Sequence, residues 1–273
     1  MKASVLDLNG KKVKDINLPK QFEEEIRPDL IKRAVLVIQA NKRQPYGSDP
    51  EAGKKYSSKI SRRRKSYKGA YGHGISRVPR KIMTKRGIHF FWVGATSPNT
   101  VGGRRAHPPK VEKFLGLGIN VTERRKAIRS ALAATMDKEI VKERGHKFKE
   151  IPLILESKIE NVEKTKDVLD ILKKIGLENE LERIKVKKIR AGKGKSRGRP
   201  YRKKVGPLFV VSDRCKLQKS AGNIQGVDIV KVNEINAELL APGTMPGRIT
   251  IYSDKAIERL EKEDLFMKKR SKK

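Results

Sequence analysis

For 60 residues, 52–111, the chain carries no Asp or Glu, and a second stretch of 30 residues, 183–212, is also free of acids. Other absences narrow the field further. One cysteine in 273 residues, Cys215, excludes an internal disulfide and every cysteine-based metal cage. No window approaches the roughly 18 apolar residues that span a bilayer, and residues 1–8 lack the long apolar stretch of a secretory signal. These shortages predict a soluble protein with no membrane partner, held in a reducing cytoplasm.

Groupings that would support catalysis are also missing. His73, His89 and His107 lie inside the first acid-free stretch, with no carboxylate nearby in sequence to orient them as bases or ligands. Cys215 stands between Arg214 and Lys216, cations that favour a thiolate, yet a lone cysteine on an expected helix reads as a small packing residue. The run from Arg190 to Pro200 superficially suggests a phosphate loop, but the Gly required five positions before Gly194 is replaced by Ile189, and no apolar strand leads into it. Glu23, Glu24 and Glu25 read as a solvated face near a helix start. The expectation is no enzyme, no metal and no cofactor.

What the chain does have is positive charge. Lys and Arg number 66 against 31 Asp and Glu, for a formal net charge of +35. The first acid-free stretch holds 16 of the cations and the second 12, so 28 of the net charges sit in 90 residues and the other 183 residues carry only +7. Charge concentrated in this way repels itself unless a polyanion surrounds it. The polyanion that also accepts aromatic rings and guanidinium planes is nucleic acid, RNA above all.

The nearly neutral remainder is ample for one core. Two short strands, 3–8 and 12–18, flank an Asn9-Gly10 turn and predict a hairpin. Pro28–Asn41 places Leu30, Ile31, Ala34, Val35 and Ile38 on one stripe of a helix. A second helix is expected from a Thr122 N-cap, with Gly145 as a stop for it or for a following helix. Short apolar runs at 151–155, 208–211, 227–230 and 249–252 alternate with helical patterns at 168–175, 177–188, 214–220, 232–240 and 254–263. That alternation predicts an α/β fold: an open, mostly parallel sheet with helices on both faces, the first hairpin at an edge or apart from it. The expected globular part is residues 1–46 with 112–265. Residues 47–111 are expected as a long extended loop, 189–206 as a basic internal loop and 266–273 as a basic tail that adds an electrostatic tether.

The first stretch holds eight glycines and no long apolar periodicity, so it is expected to be an extended functional loop outside the core. At ~3.3 Å per residue, two limbs of about 30 residues bound its reach near 100 Å. Its candidate RNA-binding residues are Lys54, Lys55, Lys59, Arg62, Arg63, Arg64, Lys65, Lys68, Arg77, Arg80, Lys81, Lys85 and Arg86 for phosphates. Tyr56, Tyr67, Tyr71 and His73 are candidates for unpaired bases. Phe90, Phe91 and Trp92 read instead as a satellite hydrophobic anchor. In the second stretch glycines alternate with Arg190, Lys193, Lys195, Arg197 and Arg199, followed by Arg202, Lys203 and Lys204, which suits backbone laid along RNA phosphates.

Several strings together resemble a known family. They are Val5-Leu6-Asp7, the helix end Gln39-Ala40-Asn41-Lys42-Arg43-Gln44-Pro45-Tyr46-Gly47, Gly72-His73-Gly74-Ile75-Ser76-Arg77-Val78-Pro79-Arg80, Gly102-Gly103-Arg104-Arg105-Ala106-His107-Pro108-Pro109 and Arg190-Ala191-Gly192-Lys193-Gly194-Lys195. The chain is similar in these to the universal large-subunit ribosomal protein number four family, in its archaeal form. The resemblance implies a structural constituent of the large ribosomal subunit, with large-subunit ribosomal RNA and neighbouring large-subunit proteins as partners. It also implies a long loop that lines the nascent-peptide exit tunnel. By position, Arg63, Arg64, Lys65, Tyr67, Lys68 and Tyr71 would be tunnel-proximal and near the nascent peptide, while residues 72–80, Arg104, Arg105 and His107 would hold ribosomal RNA. The family carries no catalytic residues. The alternatives are a basic RNA-binding assembly factor or an RNA-processing enzyme, which would need clustered carboxylates or a cofactor loop, and a chromatin-like DNA binder, which would favour a compact basic face.

Overall fold

The computed structural model describes residues 2–267; the expected basic tail lies, from Lys268 onward, outside the described residues. Two compact units are present, Met1–Lys42 with Gly116–Lys273, and Arg43–Leu115.

The first unit opens with β1 (Lys2–Leu6) and β2 (Lys12–Asn17), an antiparallel pair turned at Gly10, whose φ of +80° a side chain would resist. Helix α1 (Pro28–Asn41) follows with proline at its start, where the missing N–H costs nothing. After β3 (Arg80–Arg86) and β4 (His89–Gly94) of the second unit come α2 (Val121–Ala134), α3 (Lys138–Glu143), β5 (Leu153–Leu155), α4 (Thr165–Lys174) and α5 (Glu178–Lys185). The remainder is β6 (Lys188–Ile189), β7 (Tyr201–Arg202), β8 (Leu208–Val211), α6 (Leu217–Ala221), β9 (Asp228–Lys231), α7 (Ala237–Leu240), β10 (Thr250–Ser253) and α8 (Asp254–Lys262).

The central sheet runs β2-β1-β5-β10-β8-β9, all parallel except the antiparallel edge strand β2. Alternate residues of the inner strands enter two separate cores. Val5, Ile154, Leu208, Val210 and Tyr252 pack with α1, α2, α7 and α8, whereas Leu153, Leu155, Phe209, Val211 and Ile251 pack with α3, α4, α5 and α6. Both faces are therefore covered, which is why these strands read as unbroken apolar runs.

Several boundaries differ from the sequence reading. Thr122 lies in the first turn of α2 and is not its cap; Asn120 holds that place, without a side-chain bond. The 151–155 run yields only the strand Leu153–Leu155, since Pro152 has no N–H for a ladder. The expected helix at 214–220 is confined to Leu217–Ala221, so Cys215 precedes it and rests in a loop against the second core. Residues 232–240 divide into a 3-10 turn, Val232–Glu234, and α7, where the Asn236 side chain accepts from the Leu239 N–H at 2.9 Å.

The second unit, expected as a long extended loop, contains paired segments. Strands β3 and β4 form an antiparallel hairpin across a two-residue turn, Gly87-Ile88, with Gly87 at φ +54°. A bulge lies between Ile82 and Thr84. Further out, Lys59 and Arg80 exchange backbone bonds, Ser61 bridges Gly69, and the Ser48 N–H donates to the Pro109 carbonyl at 3.2 Å. The two limbs also touch at Gly53, where an added Cβ would stand 2.5 Å from the Arg104 nitrogen. At Gly53 the space that a side chain would need is taken by the unit's own backbone. Buried residues in this unit are Ala70, Arg80 and Ala95, too few to offset the ordering entropy of such a segment in water.

Candidate nucleic-acid interface

The hairpin sorts its side chains by face. Pairing places Ile82 opposite Trp92 and Lys85 opposite Phe90, so Phe90 and Trp92 share one side, with ring centroids 5.0 Å apart and nearly perpendicular. Tyr67 joins them edge-on to Phe90 at 5.4 Å. The expected three-residue anchor therefore consists of Phe90 and Trp92 alone; Phe91 points the other way and is 75% exposed.

Arg80 differs from the other tract cations. It is buried, its guanidinium lies 5.0 Å over the Trp92 ring, and it donates to the Ser76 carbonyl and, at 3.4 Å, to the Val78 carbonyl. Its head braces the hairpin from within. Arg190 acts similarly in the second stretch, donating to the carbonyls of Arg199 (3.1 Å) and Tyr201 (3.3 Å) across the short β6–β7 ladder.

The other candidates stand outward. Lys54, Lys59, Arg62, Arg63, Arg64, Lys65, His73, Arg77, Lys85, Arg86, Arg104, Arg105 and His107 are exposed, while Lys68, Tyr71 and Lys81 are half-buried. Lys55 is exposed but paired with Asp49 at 2.6 Å. It is the one cation of the first acid-free stretch with a carboxylate partner among the described residues. In the second stretch, Lys193, Lys195, Arg197, Arg199, Arg202, Lys203 and Lys204 are exposed, beside a tip turned by Gly192 and Gly198 at positive φ.

Several of the aromatic rings expected to meet bases already meet cations. Lys81 sits 3.7 Å over Tyr56, Arg77 4.5 Å over Tyr71 and Lys68 5.4 Å over Tyr67. Tyr46, part of the 39–47 string but not among the expected site residues, makes no ring contact among the described residues and is 60% exposed. It borders a pocket of about 530 Å³ with Arg105, His107, Pro108, Pro109 and Lys110. The available signal was its company, an aromatic ring joined in space to a basic Pro-rich stretch, and it lay just outside the expected loop's first residue.

The fourth histidine was also missed. His146 is buried on Glu180, their Nδ1 and Oε1 2.7 Å apart, and Glu180 further accepts from the Lys147 N–H at 3.0 Å and from Arg183 at 2.7 and 2.6 Å. Since an ionised carboxylate only accepts, Nδ1 carries the proton, which leaves Nε2 buried without a partner. Burial pushes His146 below its ordinary value against the pull of Glu180. Burial would raise Glu180, but the bonds from Arg183 and His146 outweigh it and hold the carboxyl low. Nothing in sequence joins positions 34 residues apart.

For Cys215, burial raises the thiol, the reverse of the activation its two cationic neighbours suggested. Among the described residues, no cluster of three or more His, Cys, Asp or Glu is placed to hold a metal, and no helix is long and apolar enough to cross a membrane.

Comparison with known proteins identifies the family. The sequence matches the Ribosomal protein L4/L1 family over residues 16–263. The chain belongs to that family. It is 49% identical over 268 residues to the large ribosomal subunit protein uL4 of Nanoarchaeum equitans, covering 97% of this chain and 100% of that one. The uL4 proteins of Methanocaldococcus jannaschii (47%, covering 96% of this chain and 98% of that one) and Archaeoglobus fulgidus (45%, covering 95% and 98%) are similar over almost their whole lengths. In this family member, then, the parallel α/β unit and the acid-poor unit belong to one continuous relationship.

Proposed function

We propose that this chain is a structural constituent of the large ribosomal subunit that binds ribosomal RNA and sits beside other large-subunit proteins, in the cytoplasm. The observation that carries the reading is the field of cations in residues 52–111. Sixteen are present, one is ion-paired among the described residues, and all but a few are exposed. Such a field lacks its counter-charge until a polyanion supplies it. Family membership says which polyanion.

Within that reading, the exposed phosphate-binding set is Arg62, Arg63, Arg64, Lys65, Arg77, Lys85, Arg86, Arg104 and Arg105, with the second stretch laying Lys193, Lys195, Arg197 and Arg199 along another RNA backbone. Arg80 and Arg190 hold these surfaces in shape. Tyr46 takes an unpaired base, because its ring face is open where those of Tyr56 and Tyr71 are covered by cations. The turns carrying Arg63, Arg64, Lys65, Tyr67, Lys68 and Tyr71 line the nascent-peptide exit tunnel; the exposure of Arg63, Arg64, Lys65 and Tyr67 supports this assignment.

The test is binding of the full chain to deproteinised large-subunit ribosomal RNA over a salt series, with small-subunit RNA as the competitor. Expected is a steep fall of affinity with salt, about 0.7 to 0.9 log units per tenfold salt for each phosphate contact, and preference for the large-subunit RNA. A shallow slope without preference would overturn the proposal.

A further inference from the structure

The α/β unit contains a cavity of about 510 Å³ whose wall includes Arg144, Arg183, Lys188, Arg202, Lys203 and Lys204 and no carboxylate. The nearby carboxylate, Glu180, lies fully buried beneath, with both oxygens engaged by His146, Lys147 and Arg183. It neutralises Arg183, and the other cations of the wall have no carboxylate partner among the described residues.

Arg144 is the most telling of these. Its guanidinium is half-buried, and its partners are all neutral carbonyls: Met245, Pro246 at 3.3 Å and Pro242 at 2.6 Å. Burial, followed by the neighbouring Arg248 and Arg183, depresses it to about 10, so it remains charged at neutral pH without an anion of its own. Buried charges are nearly always paired, so this wall is incomplete as it stands.

We propose that this cavity receives a phosphodiester of RNA, a phosphate-binding site on the α/β unit that is distinct from the cations of the acid-poor unit, residues 43–115. The proposal rests on the ribosomal-RNA reading above. A polymer fits better than a free anion because the cations do not stop at the rim. From Arg202, Lys203 and Lys204 the exposed series runs back through Arg199 and Arg197 to Lys195 and Lys193, far more positive charge than one phosphate neutralises. Arg144 and Arg183, fixed by carbonyls and Glu180, supply preorganised donors at the base. Lys203 and Lys204 supply mobile charge at the mouth.

The experiment is hydroxyl-radical cleavage of deproteinised large-subunit ribosomal RNA bound by the full chain, with affinity read over a salt series. Wild type is compared with Lys203→Gln/Lys204→Gln and with Arg144→Gln. Expected is loss of protection over one compact backbone stretch, a salt slope shallower by about 1 to 2 units, and the rest of the footprint intact. Because Arg144 also fastens the 242–246 carbonyls, the lysine pair decides alone if Arg144→Gln fails to fold. Unchanged slope and unchanged protection in the folded variants would overturn the site. So would a thermal stabilisation of wild type by inorganic phosphate that disappears in the lysine pair while the RNA footprint stays whole, since that identifies a free-anion site. A wild-type chain that protects no ribosomal RNA overturns the parent reading along with this one; protection that survives in the variants overturns this one alone.

Discussion

In residues 1–42 and 116–273, 48 Lys and Arg face 28 Asp and Glu, and the most buried cation has an anion: Arg248, 1% exposed, meets Asp228 at 2.5 Å and donates to the Gly206 and Leu239 carbonyls at 2.8 and 3.0 Å. In residues 43–115, 18 Lys and Arg face three carboxylates, and the one ion pair among the described residues, Lys55 with Asp49, is exposed. The first unit buries both faces of a six-stranded sheet, whereas the second buries three residues. One unit is thus held by apolar burial and internal charge pairing. The other has backbone turns, cation–ring contacts and one hairpin, and must draw its remaining stability from a polyanion outside itself.

If that division is right, charge removal in the second unit should strike binding and spare folding. Replacing Arg62, Arg63, Arg64 and Lys65 by glutamine is expected to make the salt dependence of ribosomal RNA binding shallower by about 3 to 4 units if all four meet phosphates. The thermal midpoint should not move. A midpoint that falls, with binding intact, would show these cations to be internal supports and would erase the contrast. The converse substitution is Arg248→Met in the first unit. It removes the donors that join the strand ends at Gly206 and Asp228 to α7, and should cost about 3 kcal/mol in a denaturant titration while leaving the salt slope of the folded protein unchanged.

How far the sequence disclosed this depended on which force organises each segment. Where apolar periodicity decides, positions could be read closely: the helix Pro28–Asn41 and the strand Leu208–Val211 both stand where the pattern puts them. Strand order could not be read, because β10 enters between β5 and β8 through contacts distant in sequence. The β3–β4 hairpin was legible in principle. Gly87-Ile88 between Ile82-Met83-Thr84 and Phe90-Phe91-Trp92-Val93 is a two-residue hairpin signal, but the surrounding charge and glycine read as loop. Arg80 and Arg190 illustrate a further limit, since the same side chain serves phosphate or protein according to whether a ring or carbonyl stands within reach. The pairing of His146 with Glu180 left no trace in spacing at all.

Tyr46 separates stacking from charge inside the second unit. Tyr46→Ala should lose about 1 to 3 kcal/mol of ribosomal RNA affinity with the salt slope unaltered, because a stacked base releases no counterion, while Tyr46→Phe should keep most of it. Equal loss in both variants would point to the hydroxyl, and a slope that changes would point to phosphate, either of which removes the base from this pocket.

The smallest expected effect belongs to His146, and it tests whether the first unit really settles its charges internally. Burial holds the folded imidazole below its ordinary 6.5, so the unfolded chain takes up its proton first as pH falls. The stability tied to this group is therefore complete above the unfolded value and is lost as pH drops from about 6.5 toward the folded value. Denaturant midpoints measured from pH 7.5 down to 5 should decline in wild type and decline less in His146→Gln, which keeps a donor for Glu180 and cannot titrate. A wild type that gains stability relative to His146→Gln as pH falls would mean that the folded imidazole holds its proton more tightly than the unfolded one and is charged at neutral pH. In that case the wall of the phosphate cavity would hold one more cation than the unit can balance, and the two units would differ less in their need for an external anion than their cores suggest.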